Sequence, residues 1–187
     1  MLIQYLVIIF IFLIILLFYL LKKWQKSKLL KFLPIFYEGK VKSNYIFYSK
    51  ISGLYNSIFS EVNFYPQSKN SPAKVKIIMD YRENERWRIK RKIPFDLDIS
   101  FLPKIEVEDN YFKEYFIIRA KEAEFIKPIL YDPRKNELIK KIFEKKESQI
   151  LETKKGKLSL LLTNKTASNL QREELEEILG NLQKFIL

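Results

Sequence analysis

The chain is 187 residues long, carries a formal charge of +12 and contains neither cysteine nor histidine. Disulfides, thiolate metal sites, histidine-ligated zinc and histidine-based triads are thereby excluded. The length leaves room for one compact domain and an extension.

The extension comes first. Residues 1–21, MLIQYLVIIFIFLIILLFYLL, hold no ionisable side chain except two tyrosines. Leu2 to Leu21 as a helix is long enough to cross about 30 Å of hydrocarbon, where a helix is the single-segment way to satisfy the backbone. Two other readings compete. A cleaved signal peptide wants a basic start and a small residue to cut after, whereas this run ends Phe18-Tyr19-Leu20-Leu21-Lys22-Lys23. A buried core helix of this length wants a polar face. Residues 1–21 therefore read as a retained transmembrane anchor. Lys22, Lys23, Lys26, Lys28 and Lys31 follow at once with Trp24 among them, the residues of a membrane interface on the cytoplasmic side. A generic stop-transfer flank would carry the same lysines. The expected layout is an anchor (1–21), a basic juxtamembrane segment (22–33) and a soluble domain (34–187), in a single-pass membrane protein with its domain in the cytoplasm.

The positive charge is unevenly placed. Residues 22–50 hold eight lysines against Glu38 alone, and residues 82–92 hold six basic side chains against Glu83 and Glu85. These two segments contain nearly all of the excess. In the second, Asn84 to Lys92 (NERWRIKRK), a two-residue period sets Arg86, Arg88, Lys90 and Lys92 on one face and Trp87, Ile89 and Arg91 on the other. Burying unpaired cations costs several kcal/mol each, while burying Trp and Ile is favourable. The four cations are therefore expected in solvent, with Trp87 and Ile89 in the core. Such a face is a solvated strand surface, a contact for an anionic leaflet or an acidic protein, or a nucleic-acid surface. The last is not favoured, because Trp87, the aromatic available to stack on bases, lies on the opposite face.

Along the rest of the chain, Pro34 is expected to stop the first helix. Asn44–Lys50, Ser57–Tyr65 and Lys74–Tyr81 read as strands, with a turn at Gly53, a polar loop from Pro66 to Pro72, and Arg82–Glu85 leading into the basic strand. Consecutive short strands with short links predict an antiparallel meander. Lys104–Glu108 and Tyr115–Ala120 are further strands. Asp132-Pro133 opens a helix whose apolar face is Leu138, Ile139, Ile142 and Phe143. Lys154-Lys155-Gly156 turns a hairpin between Ser148–Thr153 and Lys157–Thr163. Ser168 with Gln171 has the capping-box pattern, before a final helix with Leu175, Ile178, Leu179, Leu182, Phe185 and Ile186 on one side. The fold class is α+β: an N-terminal transmembrane helix, then one domain with an antiparallel meander and a few packed helices.

Phosphate-binding loops, dinucleotide fingerprints and nucleophile elbows are missing from the sequence. Asp96 and Asp98 are the best carboxylate pair, and two carboxylates alone make a weak site for a hard cation. Glu106, Glu108 and Asp109 read as an acidic strand end. Arg119, in the apolar run FIIRA, needs Glu106, Glu122, a carbonyl or solvent as partner. No catalytic residue, metal or cofactor is expected.

Gly53 and Tyr55, Phe112 and Phe116, Arg119 and Ala120, Leu138, and Gly156 with Leu158 together form a spaced pattern. In this pattern residues 53–160 resemble a loosely defined group of uncharacterised membrane-anchored bacterial proteins. The chain departs from it at Ser57, where the group has a second glycine, and at Lys113, where aspartate is common. The resemblance implies an α+β domain on a membrane anchor, and supplies no reaction and no catalytic residues. The expected function is a binding or scaffolding module for a protein partner or the lipid surface. A membrane-tethered nucleic-acid module is the alternative, and an enzyme built on Asp96 and Asp98 a more distant one.

Overall fold

The computed structural model describes residues 2–43, 48–94 and 100–187. Asp96, Asp98 and residues 44–47 of the expected first strand lie outside them. Helix α1 (Leu2–Leu30) begins the chain. Its apolar window is 0% buried, and every large side chain from Tyr5 to Leu21 is exposed. A core helix would be covered, so the chain carries one helix long and apolar enough to cross a membrane, near its N-terminus.

The helix ends at Leu30, before Pro34. Phe32 and Ile35 already donate to carbonyls three residues back, and the chain tightens into a 3-10 turn at Leu33–Ile35 that holds the proline. Leu29, Phe32 and Phe36 are buried in the domain core. The Phe32 ring stacks on Phe64 at 5.6 Å, and Lys31 Nζ donates to the Leu170 carbonyl at 2.6 Å. The far end of the basic segment is thus part of the domain, not a loose tether.

Eight strands form one antiparallel sheet among the described residues: β1 (Tyr37–Ser43), β2 (Ser49–Tyr55), β3 (Ile58–Tyr65), β4 (Lys74–Asp80), β5 (Trp87–Arg91), β6 (Phe116–Ala120), β7 (Ser148–Thr153) and β8 (Lys157–Thr163). Their order is β1-β2-β3-β4-β8-β7-β5-β6. The meander holds for β1 to β4. The basic strand β5 does not continue it, because the β7–β8 hairpin takes the place beside β4 and leaves β5 between β7 and β6. Asn56 and Ser57, both at positive φ, turn the β2–β3 hairpin, and Lys155 and Gly156 do the same for β7–β8. Paired positive φ is the geometry that matches strand twist in a two-residue turn.

Gly53 is therefore no turn. It lies within β2, where a Cβ would come within 2.8 Å of Phe36 Cβ and 2.9 Å of the Tyr37 carbonyl oxygen. A strand glycine here marks close approach of two backbones. Lys104–Glu108 is not a strand either. Backbone pairing with β6 is confined to Pro103–Ile105, and the chain then leaves for helix α2 (Asn110–Tyr115), capped by Asp109.

Helices α3 (Ala123–Tyr131), α4 (Pro133–Glu144) and α5 (Arg172–Ile186) complete the domain. Asp132 caps α4 as expected, accepting from the N–H groups of Arg134 and Lys135. Ser168 does not cap α5: its N–H is drawn to Thr166 Oγ1 in a local turn, and the helix starts at Arg172. Trp87 meets Phe185 of α5 and Phe116 meets Phe143 of α4, at 5.8 and 4.8 Å between ring centroids. The helices thus pack on the sheet face that carries Ile51, Val62, Ile77, Leu160, Leu151 and Ile89, all with no exposed surface.

Candidate interaction surfaces

The opposite face of the sheet stays in contact with solvent and is where the strand cations gather. Cross-strand register partners share a face. The row from β1 to β6 reads Lys42, Lys50, Asn63, Lys76, Leu161, Ile150, Lys90 and Ile117. The next row reads Lys40, Ser52, Glu61, Ile78, Ser159, Glu152, Arg88 and Arg119. Lys74 opposite Thr163 and Asp80 opposite Lys157 extend the face at β4 and β8. Among the described residues this face carries Lys40, Lys42, Lys50, Lys74, Lys76, Arg88, Lys90, Arg119 and Lys157 against Glu61, Asp80 and Glu152.

The carboxylates are bracketed by the cations. Lys50 donates to Glu61 at 2.6 Å, and Asn63 donates to the same carboxylate at 2.7 Å. Burial pushes Glu61 up, but these hydrogen bonds outweigh it and hold the carboxyl below its usual range. The same bond raises the Lys50 ammonium. Glu152 accepts from Lys76 at 3.1 Å and faces Arg88 Nε at 3.8 Å, an ion-pair distance without a hydrogen bond. After these pairings the face retains a net positive charge.

The four residues expected in solvent part company. Arg86 and Lys92 are exposed, Arg88 is half-buried, and Lys90 is buried at 8% exposure. The exposed-Lys90 expectation is overturned by topology: β5 is an interior strand, and Lys90 stands in register between Ile117 and Ile150. Trp87 and Ile89 are fully buried, as the alternation required. Arg91 shares their face and is accommodated by carbonyls, donating to Phe143, Lys145 and Ser148 around the C-terminal end of α4. Arg119 donates to the Leu102 carbonyl at 2.6 Å, the carbonyl option for this residue.

At the emergence of α1, Lys22, Lys23, Trp24 and Lys26 are exposed, while Lys28 and Lys31 are half-buried. Burial lowers the Lys31 ammonium, with Glu173 opposing the shift. Lys28 Nζ lies 3.2 Å from the centroid of the Trp24 ring, a cation–π pair. Beside it opens a cleft of about 280 Å³ between α1, β2, β3 and the loop before α5. No sequence signal marked this cleft, because its walls come from four separated segments.

A second cavity of about 500 Å³ is bordered by Asp109, Phe112, Asn136 and Lys140. Two carboxylates line it, Asp109 and Glu137, and the first is already used. Asp109 caps α2, accepts from Asn136 and faces Lys140 at 3.7 Å. Burial pushes its pKa up, and these contacts together bring it below the ordinary value. Among the described residues no group of three acidic side chains is placed to hold a metal ion.

No protein-family model matches the sequence, and no curated protein matches it. Among solved structures, the chain is similar to the crystal structure of the mycobacterial trehalose monomycolate transport factor A, TtfA. The match has a TM-score of 0.50 at 10% identity, over 78% of this chain and 76% of that one. The likeness is one of fold.

Proposed function

We propose that this chain is a single-pass membrane protein whose domain is a non-enzymatic binding module, docking an acidic protein partner on the open face of its sheet. The observation that carries this reading is the net positive sheet face, left uncovered by the helices and joined to a helix long and apolar enough to anchor it. Like-signed charge spread over a face steers and orients an oppositely charged partner more than it stabilises the fold. The positive flank of α1 supports a domain on the cytoplasmic side. The resemblance of residues 53–160 to membrane-anchored bacterial proteins supports the same organisation. The fold shared with a protein named as a transport factor is compatible with a binding module.

The test starts from the full-length protein in its own membranes. It should resist carbonate extraction and, after crosslinking, co-purify with a defined protein set. Changing Lys40, Lys42, Lys74 and Lys157 to Glu should abolish that set while leaving extraction unchanged. An unaltered set would remove the sheet face from the proposal. Co-purifying nucleic acid, released steeply by salt, would install the nucleic-acid reading instead.

A further inference from the structure

The cleft at the foot of α1 lies where a bilayer would meet the domain. Trp24 stands three residues beyond Leu21, about 4.5 Å along the axis, and Leu29 about 12 Å. The headgroup layer outside the hydrocarbon is about 5–8 Å deep on each side. Trp24 at the mouth therefore lies within that layer if α1 spans the membrane. The Lys28 backbone, about 10.5 Å out, lies beyond it with Leu29, but its ammonium reaches back over the Trp24 ring.

Its lining suits part of a lipid. The buried side chains of Leu29 and Phe64, with half-buried Ala167, make an apolar floor. Tyr48 and Tyr65, whose ring centroids are 6.1 Å apart, form one wall. At the mouth stand Lys28 and Trp24, the indole 57% exposed. An exposed indole with an adjacent ammonium is well placed at a headgroup boundary. The volume falls just under the ~300 Å³ at which small-molecule pockets begin, which suits a headgroup with its glycerol and not a whole lipid. Lys22, Lys23 and Lys26 precede the cleft on α1, and Glu61, the carboxylate that acts on the Tyr65 wall, is paired with Lys50.

We infer that this cleft holds one anionic phospholipid of the leaflet from which α1 emerges, its phosphate against Lys28 and its glycerol–ester region against Tyr48, Tyr65 and the apolar floor. This rests on α1 spanning the membrane, as proposed above. It assigns lipid recognition to the junction of helix and domain, not to the basic strand β5. A bound lipid would also fix the tilt of the domain on the membrane, because α1 and the sheet share one core.

Full-length protein in mild detergent, titrated with the anionic lipid POPG and examined by native mass spectrometry, should retain one POPG per chain and far less zwitterionic POPC. Lys28→Gln should lower POPG occupancy about fivefold, the loss expected for one lysine beside an anionic surface. Ala167→Phe, which fills the floor, should lower it at least as much. Lys154→Gln, in the hairpin turn between β7 and β8, should change nothing. Undiminished retention by Lys28→Gln, equal retention of POPC, or no retained lipid would each overturn the inference. The melting temperature of Lys28→Gln guards against a folding artefact should Ala167→Phe misfold. Carbonate release of the protein would instead sink the membrane span itself, so the two failures are told apart.

Discussion

The two faces of strand β5 are built from alternating residues five positions long and obey different rules. On the helix side Trp87 and Ile89 have no exposed surface, and the one cation there, Arg91, is satisfied by carbonyls at the end of α4. On the open side the flanking Arg86 and Lys92 reach solvent, while Lys90 between them is buried. Alternation decides which face a side chain takes. How deep that face lies depends on the neighbouring strands, and these are contributed by residues 116–120 and 148–153, far along the chain.

The contrast is broken most easily at its apolar pole. Trp87→Ala should cost about 3–5 kcal/mol, the range for truncating a large buried aromatic, read from the denaturation midpoint of the full-length protein in detergent. Trp87→Phe should cost far less. The buried indole Nε1 makes no hydrogen bond, so losing it forfeits packing and not a polar contact. If the two variants were equally destabilised, the indole N–H would have an acceptor after all and β5 would be held by more than apolar burial.

The same division explains what could be read in advance. Elements set by local chemistry were legible: the β7–β8 hairpin from its turn, α4 from Asp132-Pro133, and β4 from the alternation of Val75, Ile77 and Met79. Elements set by long-range contacts were not. Helix α2 is six residues long and α3 contains Pro128, so neither shows a sustained period. Ser168 has the letters of a cap, but Thr166 and Asn169 compete for the backbone there. For the candidate surfaces, the lysine flank and Trp24 were visible, since charge and a single indole need no partner to be recognised. The cleft beside them was not, because Tyr48, Phe64 and Ala167 meet only in the folded chain.

Gly53 sharpens the contrast at the other edge of the sheet, where two backbones touch in place of two side chains. A Cβ there would also lie 3.0 Å from Gly39 Cα, in the segment where β1 shifts register between Tyr37 and Lys40. These are backbone atoms and the root of Phe36, none of which can swing aside. Gly53→Ala should therefore destabilise by about 1–3 kcal/mol, as overpacking does, despite the usual gain from removing glycine from a strand. A neutral or stabilising result in the same denaturation assay would show that β1 and its bulge can move away from β2, and that the join of α1 to the sheet is loose.

The smallest effect belongs to the open face and depends on pH. Glu61 is held below its usual carboxylate range by Lys50 and Asn63, against a burial that pushes it up. A depressed carboxylate contributes stability that is complete above its unfolded value, about 4.3, and disappears as pH falls through the folded value. The raised Lys50 contributes below its own unfolded value and loses that contribution only in strong alkali. The pair therefore works throughout the neutral range. Both side chains retain access to water, 27% and 22% exposed, so the contribution is limited to about 0.2–1 kcal/mol. Glu61→Gln should lower the denaturation midpoint slightly at pH 7, and the gap to the parent protein should narrow as pH falls below about 4.3. Raising salt at pH 7 should shrink it further. A gap that persisted unchanged into acid would mean that Glu61 acts through its hydrogen bond from Asn63 and not through its charge, and the open face would then owe its order to polar geometry more than to ion pairing.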